Sequence, residues 1–260
     1  MSFFGGTPVG PLFTPLSMIH CMMLAIIIIA IVVTVIFRES LRESHRLRRY
    51  LPIGIGCIAW ICEVGYHLWN YVNDLDFVAN LIPLELCSIS IILTVVLCFT
   101  RSRAVFEIYY FISFGAVMSL LFPDQGGYGP NHFRFWHFFI VHSFIVWLTV
   151  WYLCIEKYTL RRTALLRLVF VMTPVAALAY FANSKLSTNY MFLSGTTEVS
   201  SPLDFLGDGV GYVIKLFILA YSIFTIMYLC APKEPRQVSQ SSRDQAVAGS
   251  NPVSQTELVV

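Results

Sequence analysis

Seven apolar stretches, each about as long as a membrane is thick, dominate the chain. A helix needs about 20 residues to cross roughly 30 Å of hydrocarbon. The stretches cover 16–37, 51–71, 80–99, 104–122, 134–154, 164–182 and 209–230. The composition agrees, because 57% of the residues are apolar and 12% are charged, against about 45–50% and about 25% in soluble domains. The pattern predicts an all-α, polytopic membrane protein, a bundle of seven transmembrane helices.

Basic residues are concentrated on one side of the predicted bundle. Of the 17 Lys and Arg residues, 14 lie in or next to the segments between spans one and two, three and four, and five and six, or after span seven. The opposite loops carry Arg134 and Lys185 together with six acids. Since cytoplasmic loops are rich in Lys and Arg, we expect the N-terminus outside and the C-terminus in the cytoplasm. A net charge of +2 provides no basic face for nucleic acid.

Two terminal segments flank the predicted spans. Residues 1–15 form a short extracytoplasmic segment. Residues 231–260 are polar and lack a helical or strand period, so we expect a disordered cytoplasmic tail. Its last residues, Thr-Glu-Leu-Val-Val, are compatible with a PDZ-type partner. The seven cysteines are odd in number and lie in or beside apolar spans, which argues against a disulfide framework.

A layer of polar side chains lies inside the predicted spans. An ionisable group at a helix centre costs about 2.5–3.5 kcal/mol on insertion, so each one calls for a functional or structural explanation. Counting the helical rise from the outer end of each span places six such residues at depths of about 6–12 Å. They are Glu63, His67, Glu85, Cys87, His142 and Lys215.

The first interpretation of this layer is a water-accessible active site. Cys87 is the candidate nucleophile, and His142 is the base that makes the thiolate. Glu85, Glu63 or His67 is the group that orients the base. Glu63 and His67 are spaced i, i+4 and share one helix face. Glu85 and Cys87 are two residues apart, so they face one cavity only if their helical turn is distorted.

Three alternative interpretations use the same layer. A purely structural network fixes the helix register, with Lys215 paired to Glu85 or Glu63. A metal site of Glu63, His67 and His142 lacks a ligand spacing of its own, and no metal or cofactor is expected. A small-molecule transporter or receptor uses the layer to bind a solute. The lack of two related halves argues against a transporter.

Four segments form an ordered set of motifs. They are Ile-Pro-Leu-Glu-Leu-Cys-Ser-Ile-Ser at 82–90, the segment 109–124, the His-rich segment 132–142, and Asn-Tyr-Met-Phe-Leu at 189–193 followed by 203–207. In order and spacing, over about residues 50–230, they resemble the YwaF-type family of integral membrane proteins. The resemblance implies a seven-helix fold.

The resemblance also implies a chemistry. A vertebrate relative of that family is regarded as an acyltransferase that acts on lyso ether phospholipids through a Cys and a His, which fall here on Cys87 and His142. Membrane lipids, including an acyl donor lipid, are then the partners. Asn189 and Tyr190 are expected to hold a head group, and Glu63, His67 and Lys215 complete the candidates for substrate binding. We therefore expect a thiol-dependent acyltransferase or transacylase that remodels phospholipid acyl chains.

Overall fold

The regular structure of the chain is helical. The computed structural model describes residues 3–8, 10, 12–75, 81–196 and 200–235. In these ranges lie eight α-helices: α1 (Met18–Ile36), α2 (Arg38–Glu43), α3 (His45–Val72), α4 (Leu86–Thr100), α5 (Arg103–Leu121), α6 (Phe133–Cys154), α7 (Ala164–Leu186) and α8 (Gly209–Cys230). Two short 3-10 helices, Tyr190–Phe192 and Pro202–Leu206, lie between α7 and α8. The predicted all-α class is confirmed.

Apolar helices occupy all seven predicted positions, but they are unequal in length. Six of the described helices, α1, α3, α5, α6, α7 and α8, are long and apolar enough to cross a membrane. The remaining one, α4, has 15 residues and is therefore about 22 Å long. The described part of the chain thus shows six helices of sufficient length, and a shorter apolar helix lies at the position of the predicted third span.

The late start of α4 follows from Pro83. Proline fixes its own φ angle and disfavours helical geometry in the residue before it, so the helix that occupies most of the predicted span 80–99 begins after Pro83, at Leu86. The preceding turn is closed by the Leu84 amide, which donates to the Ile82 carbonyl at 2.8 Å. Glu85 then stands at the helix N-cap in an extended conformation, with φ −74° and ψ 143°.

The helices α5 and α6 form the centre of the bundle. Their large side chains Phe106, Tyr109, Phe111, Trp151 and Tyr152 are fully buried. Buried polar contacts join neighbouring helices, because the Tyr109 hydroxyl lies 3.0 Å from Thr94 Oγ1 of α4 and donates to the Ile145 carbonyl of α6 at 3.1 Å. Lipid is as apolar as leucine, so packing and interhelical hydrogen bonds of this kind hold a membrane bundle together.

The basic end of the bundle is fixed by ion pairs. Glu156 accepts from Arg48 at 2.7 Å. The fully buried Glu107 carboxylate pairs with the Arg167 guanidinium and accepts from the Arg161 amide at 3.0 Å. Both acids are therefore paired with arginines from other segments of the chain.

The start of the C-terminal segment is attached to this same end. Leu160 donates to the Pro232 carbonyl at 2.8 Å and accepts from the Glu234 amide at 3.0 Å, which gives a parallel bridge with Lys233. Burial raises the pKa of the adjacent Tyr158, which donates to the Arg101 carbonyl at 2.6 Å. The tail predicted to be disordered from 231 is thus held as far as 235, and 236–260, with the PDZ-type end, lie outside the described residues.

Candidate functional site

A cavity of about 390 Å³ lies at the end of the bundle opposite the ion pairs. Its walls come from the last part of α3, the first turns of α4, the end of α5, the first turns of α6 and the 3-10 helix Tyr190–Phe192. Five of the eight predicted site residues line it: Glu63, Glu85, Cys87, His142 and Tyr190. The structure therefore brings most of the predicted polar layer to one place.

Cys87 lies in the first turn of α4. The extended N-cap conformation of Glu85 is the distortion that the two-residue spacing requires, and it allows both side chains to line the cavity. The Cys87 sulfur lies 3.5 Å from the hydroxyl oxygen of Ser119 on α5. All seven cysteines are free thiols, so Cys87 is available as a nucleophile.

His142 has one ring nitrogen bound and one available. Its Nδ1 lies 2.6 Å from the Phe138 carbonyl one turn earlier in α6. Because a carbonyl only accepts, Nδ1 carries the proton, and the unprotonated Nε2 is the nitrogen able to take a proton. The predicted orienting acid is replaced by this backbone carbonyl, which fixes the ring without a carboxylate.

Glu85 fixes the part of the cavity wall that the 3-10 helix Tyr190–Phe192 forms. One carboxylate oxygen accepts from the Met191 amide at 3.1 Å, so Glu85 ties the start of α4 to the 3-10 helix after α7. Asn183 fixes the same segment, since its Oδ1 accepts from the Tyr190 amide at 2.7 Å and its Nδ2 donates to the Tyr190 carbonyl at 3.1 Å. Met191, with φ 55°, adopts the left-handed conformation, which only a firmly bound segment imposes on a non-glycine residue.

Glu63 lies between two imidazoles. Its Oε1 is 3.5 Å from His67 Nε2, as the i, i+4 spacing predicts, and its Oε2 is 3.6 Å from His137 Nε2. Arg134 extends the chain of groups by donating to His137 Nδ1 at 3.1 Å. His67 belongs to this network without lining the cavity. Among the described residues, no group of three His, Cys, Asp or Glu side chains has an arrangement that could hold a metal ion.

Two predicted binding residues lie away from the cavity. Lys215 is exposed and donates to the Leu206 carbonyl at 2.9 Å, so the suggested pairing with Glu85 or Glu63 is wrong. The Asn189 side chain bonds within its own loop, accepting from the Ser194 amide at 2.8 Å and donating to the Gly195 carbonyl at 3.1 Å. In both cases the segment between α7 and α8 provides the nearer partner. The conformation of this segment cannot be predicted from the sequence.

The cavity also contains residues that the sequence analysis did not select. Ser119, Arg134 and His137 line it, and the Arg134 guanidinium lies 4.7 Å from the centre of the Tyr66 ring. The i, i+3 spacing of Arg134 and His137 was a usable signal, because such residues are neighbours on a helix. No sequence pattern indicates Ser119 as a site residue, because it reaches Cys87 only through the packing of α5 on α4.

The chain was compared with known proteins. It matches the TMEM164 family over residues 15–228. No curated protein and no solved structure matches it. The match shows the TMEM164 family, and the resemblance to the YwaF-type family stays a prediction. It covers the helices α1–α7, nearly all of α8 and every residue of the cavity. The chain therefore belongs to the TMEM164 family and is a multi-pass integral membrane protein.

Proposed function

We propose that this protein is a thiol-dependent acyltransferase or transacylase that remodels the acyl chains of membrane phospholipids. The observation that carries the proposal is that Cys87 and His142 line the same cavity, with His142 held through Nδ1 so that Nε2 is the basic nitrogen. A thiol and a fixed base are the two groups that nucleophilic acyl transfer requires.

In the first half-reaction, His142 Nε2 takes the proton of the Cys87 thiol. The thiolate attacks the carbonyl carbon of an acyl ester, the carbon–oxygen bond to the alcohol breaks, and the departing oxygen takes the proton from Nε2. The Ser119 hydroxyl, 3.5 Å from the sulfur, donates to the thiolate. The products are a Cys87 thioester and a lysolipid or other alcohol.

In the second half-reaction, a lysophospholipid hydroxyl gives its proton to His142 Nε2 and attacks the thioester carbon. The carbon–sulfur bond breaks, the sulfur recovers the proton, and the new ester leaves. Glu85, Glu63 and Tyr190 lie on the cavity wall and are suited to contact the polar part of the substrate. His67, Lys215 and Asn189 do not line it, so we assign them no direct contact.

The proposal includes an orientation in the membrane. We propose that α4 crosses together with the six longer helices, with its N-terminal turn recessed below the membrane surface. The charge distribution supports an N-terminus outside and a C-terminus in the cytoplasm. The cavity then opens toward the non-cytoplasmic side, and the ion pairs of Glu107 and Glu156 lie at the cytoplasmic face.

Lipid profiling of membranes tests the proposed activity. Wild type, Cys87→Ala and His142→Ala are expressed at matched levels, with Cys230→Ala, an exposed thiol at the far end of α8, as the control. We expect wild type and Cys230→Ala to shift the acyl composition of phospholipids and the other two variants to lose the shift. An unchanged composition in all four membranes, with every protein folded, contradicts an acyl-transfer role and favours solute binding by the cavity.

A further inference from the structure

The first turn of α4 presents unpaired backbone donors beside the nucleophile. The first bond within the helix runs from the Ile89 amide to the Glu85 carbonyl at 3.0 Å. The amides of Cys87 and Ser88, which come before it, have no hydrogen-bond partner among the described residues. The first amides of any helix lack an intrahelical acceptor and need one from a side chain, water or a ligand.

The residue that stands at the N-cap does not supply that acceptor. Glu85 makes no capping bond to its own helix, because its carboxylate accepts from the Met191 amide at 3.1 Å. The turn that brings Glu85 into the cavity wall thus leaves the Cys87 and Ser88 amides open. Both of these residues line the cavity.

A second, independent feature of the cavity also indicates a ligand. The His142 ring is only 6% exposed and lines the cavity. Its Nδ1 is bound to Phe138, whereas its Nε2 has no partner among the described residues. Nε2 is therefore the polar atom of this buried ring that remains open to a ligand in the cavity. A ligand with an acceptor oxygen can bind the open amides of Cys87 and Ser88. If it also carries an exchangeable proton, it can donate that proton to His142 Nε2.

We propose that the backbone amides of Cys87 and Ser88 form the oxyanion hole of this site. The inference rests on the proposed acyl-transfer function and names the groups that stabilise the negative charge formed during the transfer. Side chains on a helix tilt toward its N-terminus, which places the Cys87 sulfur on the side of the open amides. The positive end of the helix dipole adds to their effect on a developing negative charge.

The step that these amides serve is the formation of the tetrahedral intermediate. The sulfur–carbon bond forms as the carbonyl double bond opens, and its electron pair moves onto the carbonyl oxygen. The two N–H groups donate to that oxyanion until the electron pair returns and expels the alcohol oxygen, which takes its proton from His142. When the lysolipid attacks the thioester, the same amides bind the second oxyanion.

The test removes one amide without removing the nucleophile. In Ser88→Pro the N–H at 88 is absent, and this N–H has no intrahelical acceptor to lose. Because the proline ring restricts the backbone of Cys87, a second variant that removes the same N–H without a ring is tested beside it. Purified protein in detergent is treated with p-nitrophenyl octanoate, and the acylation of Cys87 is followed by peptide mass spectrometry. The alkylation of Cys87 by iodoacetamide is measured in parallel, because that displacement passes through no oxyanion.

We expect Ser88→Pro to lower the acylation rate by about 10²-fold to 10³-fold and to leave alkylation within about threefold of wild type. A replacement of the amide at 88 by an ester, through the α-hydroxy analogue of serine, deletes the same N–H with no proline ring. It gives the same result if the inference is right. The matched control is the same ester replacement at Ala104, in the first turn of α5 at the opposite end of the bundle, which keeps the wild-type rates.

Three results overturn the inference, and they are distinguishable. Wild-type acylation in the ester variant at 88 shows that its amide stabilises no oxyanion. Equal loss of acylation and alkylation in that variant shows that the amide acts on the sulfur and not on the carbonyl oxygen. Failure of wild type itself to become acylated at Cys87, with alkylation intact, rejects the proposed function and the oxyanion hole with it.

Discussion

At the scale of single residues, buried polar side chains bind neighbouring helices to one another. Glu107 is the clearest case, because its carboxylate is fully buried in α5 and binds the side chain of Arg167 in α7 and the amide of Arg161. Removing one partner of a buried ion pair leaves the other charge without compensation. The loss of Glu107 therefore destabilises the protein mainly because it leaves the charge of Arg167 without a partner.

Glu107→Gln tests this role. Breaking a fully buried pair costs about 3–5 kcal/mol, and since Arg167 remains 29% exposed, we expect a loss of about 2–3 kcal/mol in the free energy of unfolding. The measurement is the unfolding midpoint in mixed micelles titrated with a denaturing detergent. Glu39→Gln, which removes an exposed acid paired with Arg42, serves as the control with an unchanged midpoint. Equal midpoints for the two variants contradict the account.

At the scale of elements, α3 and α4 approach each other through a glycine. A Cβ atom built on Gly56 lies only 3.1 Å from the Cβ of Cys98, so the two backbones pass too closely for a larger residue. Small residues at crossings are a standard means of helix packing in membranes. This crossing sets the position of α4 and therefore of Cys87, which lies about three turns from the contact of Cys98 with Gly56, toward the helix start.

Gly56→Ala and Gly54→Ala form a matched pair for this crossing. Gly54 has no atom within 4 Å of a built Cβ, so alanine there gains helix propensity and stabilises the protein by up to about 1 kcal/mol. At Gly56 the overpacking outweighs that gain, and we expect a net loss of about 1–2 kcal/mol. Detergent-induced unfolding measures both. Stabilisation by both substitutions means that the two helices are not in close contact.

Some features of the helices and of the cavity could be predicted from the sequence, and others could not. Apolar runs predicted all seven apolar helices, because hydrophobicity over about 20 residues is a local property. The start of α4 differed, because Pro83 is a local signal that hydrophobicity alone does not register. The bond from the Met191 amide to the Glu85 carboxylate depends on a distant loop and has no local signal. Cys87, Glu85 and His142 were selected as rare polar residues within apolar runs, whereas Ser119 became a site residue only through the packing of α5 on α4.

At the scale of the whole molecule, the short helix α4 determines the topology. If α4 crosses the membrane with the six longer helices, the number of crossings is odd and the termini lie on opposite sides. If α4 does not cross, the termini lie on the same side. The concentration of 14 basic residues in alternate loops agrees with seven crossings, because a missing crossing would mix the charges of the two sides.

Protease protection in sealed, cytoplasmic-side-out vesicles tests the topology. With one epitope at each terminus, we expect the C-terminal epitope to be digested and the N-terminal epitope to survive until detergent opens the vesicles. A version carrying the two epitopes exchanged controls for differences in their cleavage. Digestion or protection of both epitopes together requires an even number of crossings and contradicts the proposed orientation.

The central claim is that Cys87 carries the acyl group between two lipids, and a trapped acyl-enzyme tests it most directly. Purified protein is incubated with an isotopically labelled phospholipid donor, and Cys87 is analysed by mass spectrometry before and after a lysophospholipid is added. We predict a hydroxylamine-sensitive acyl group on Cys87 that disappears into the lysophospholipid and does not form in His142→Ala. Transfer of the label between lipids with no acyl group on Cys87, or a thioester that the acceptor never discharges, contradicts the account.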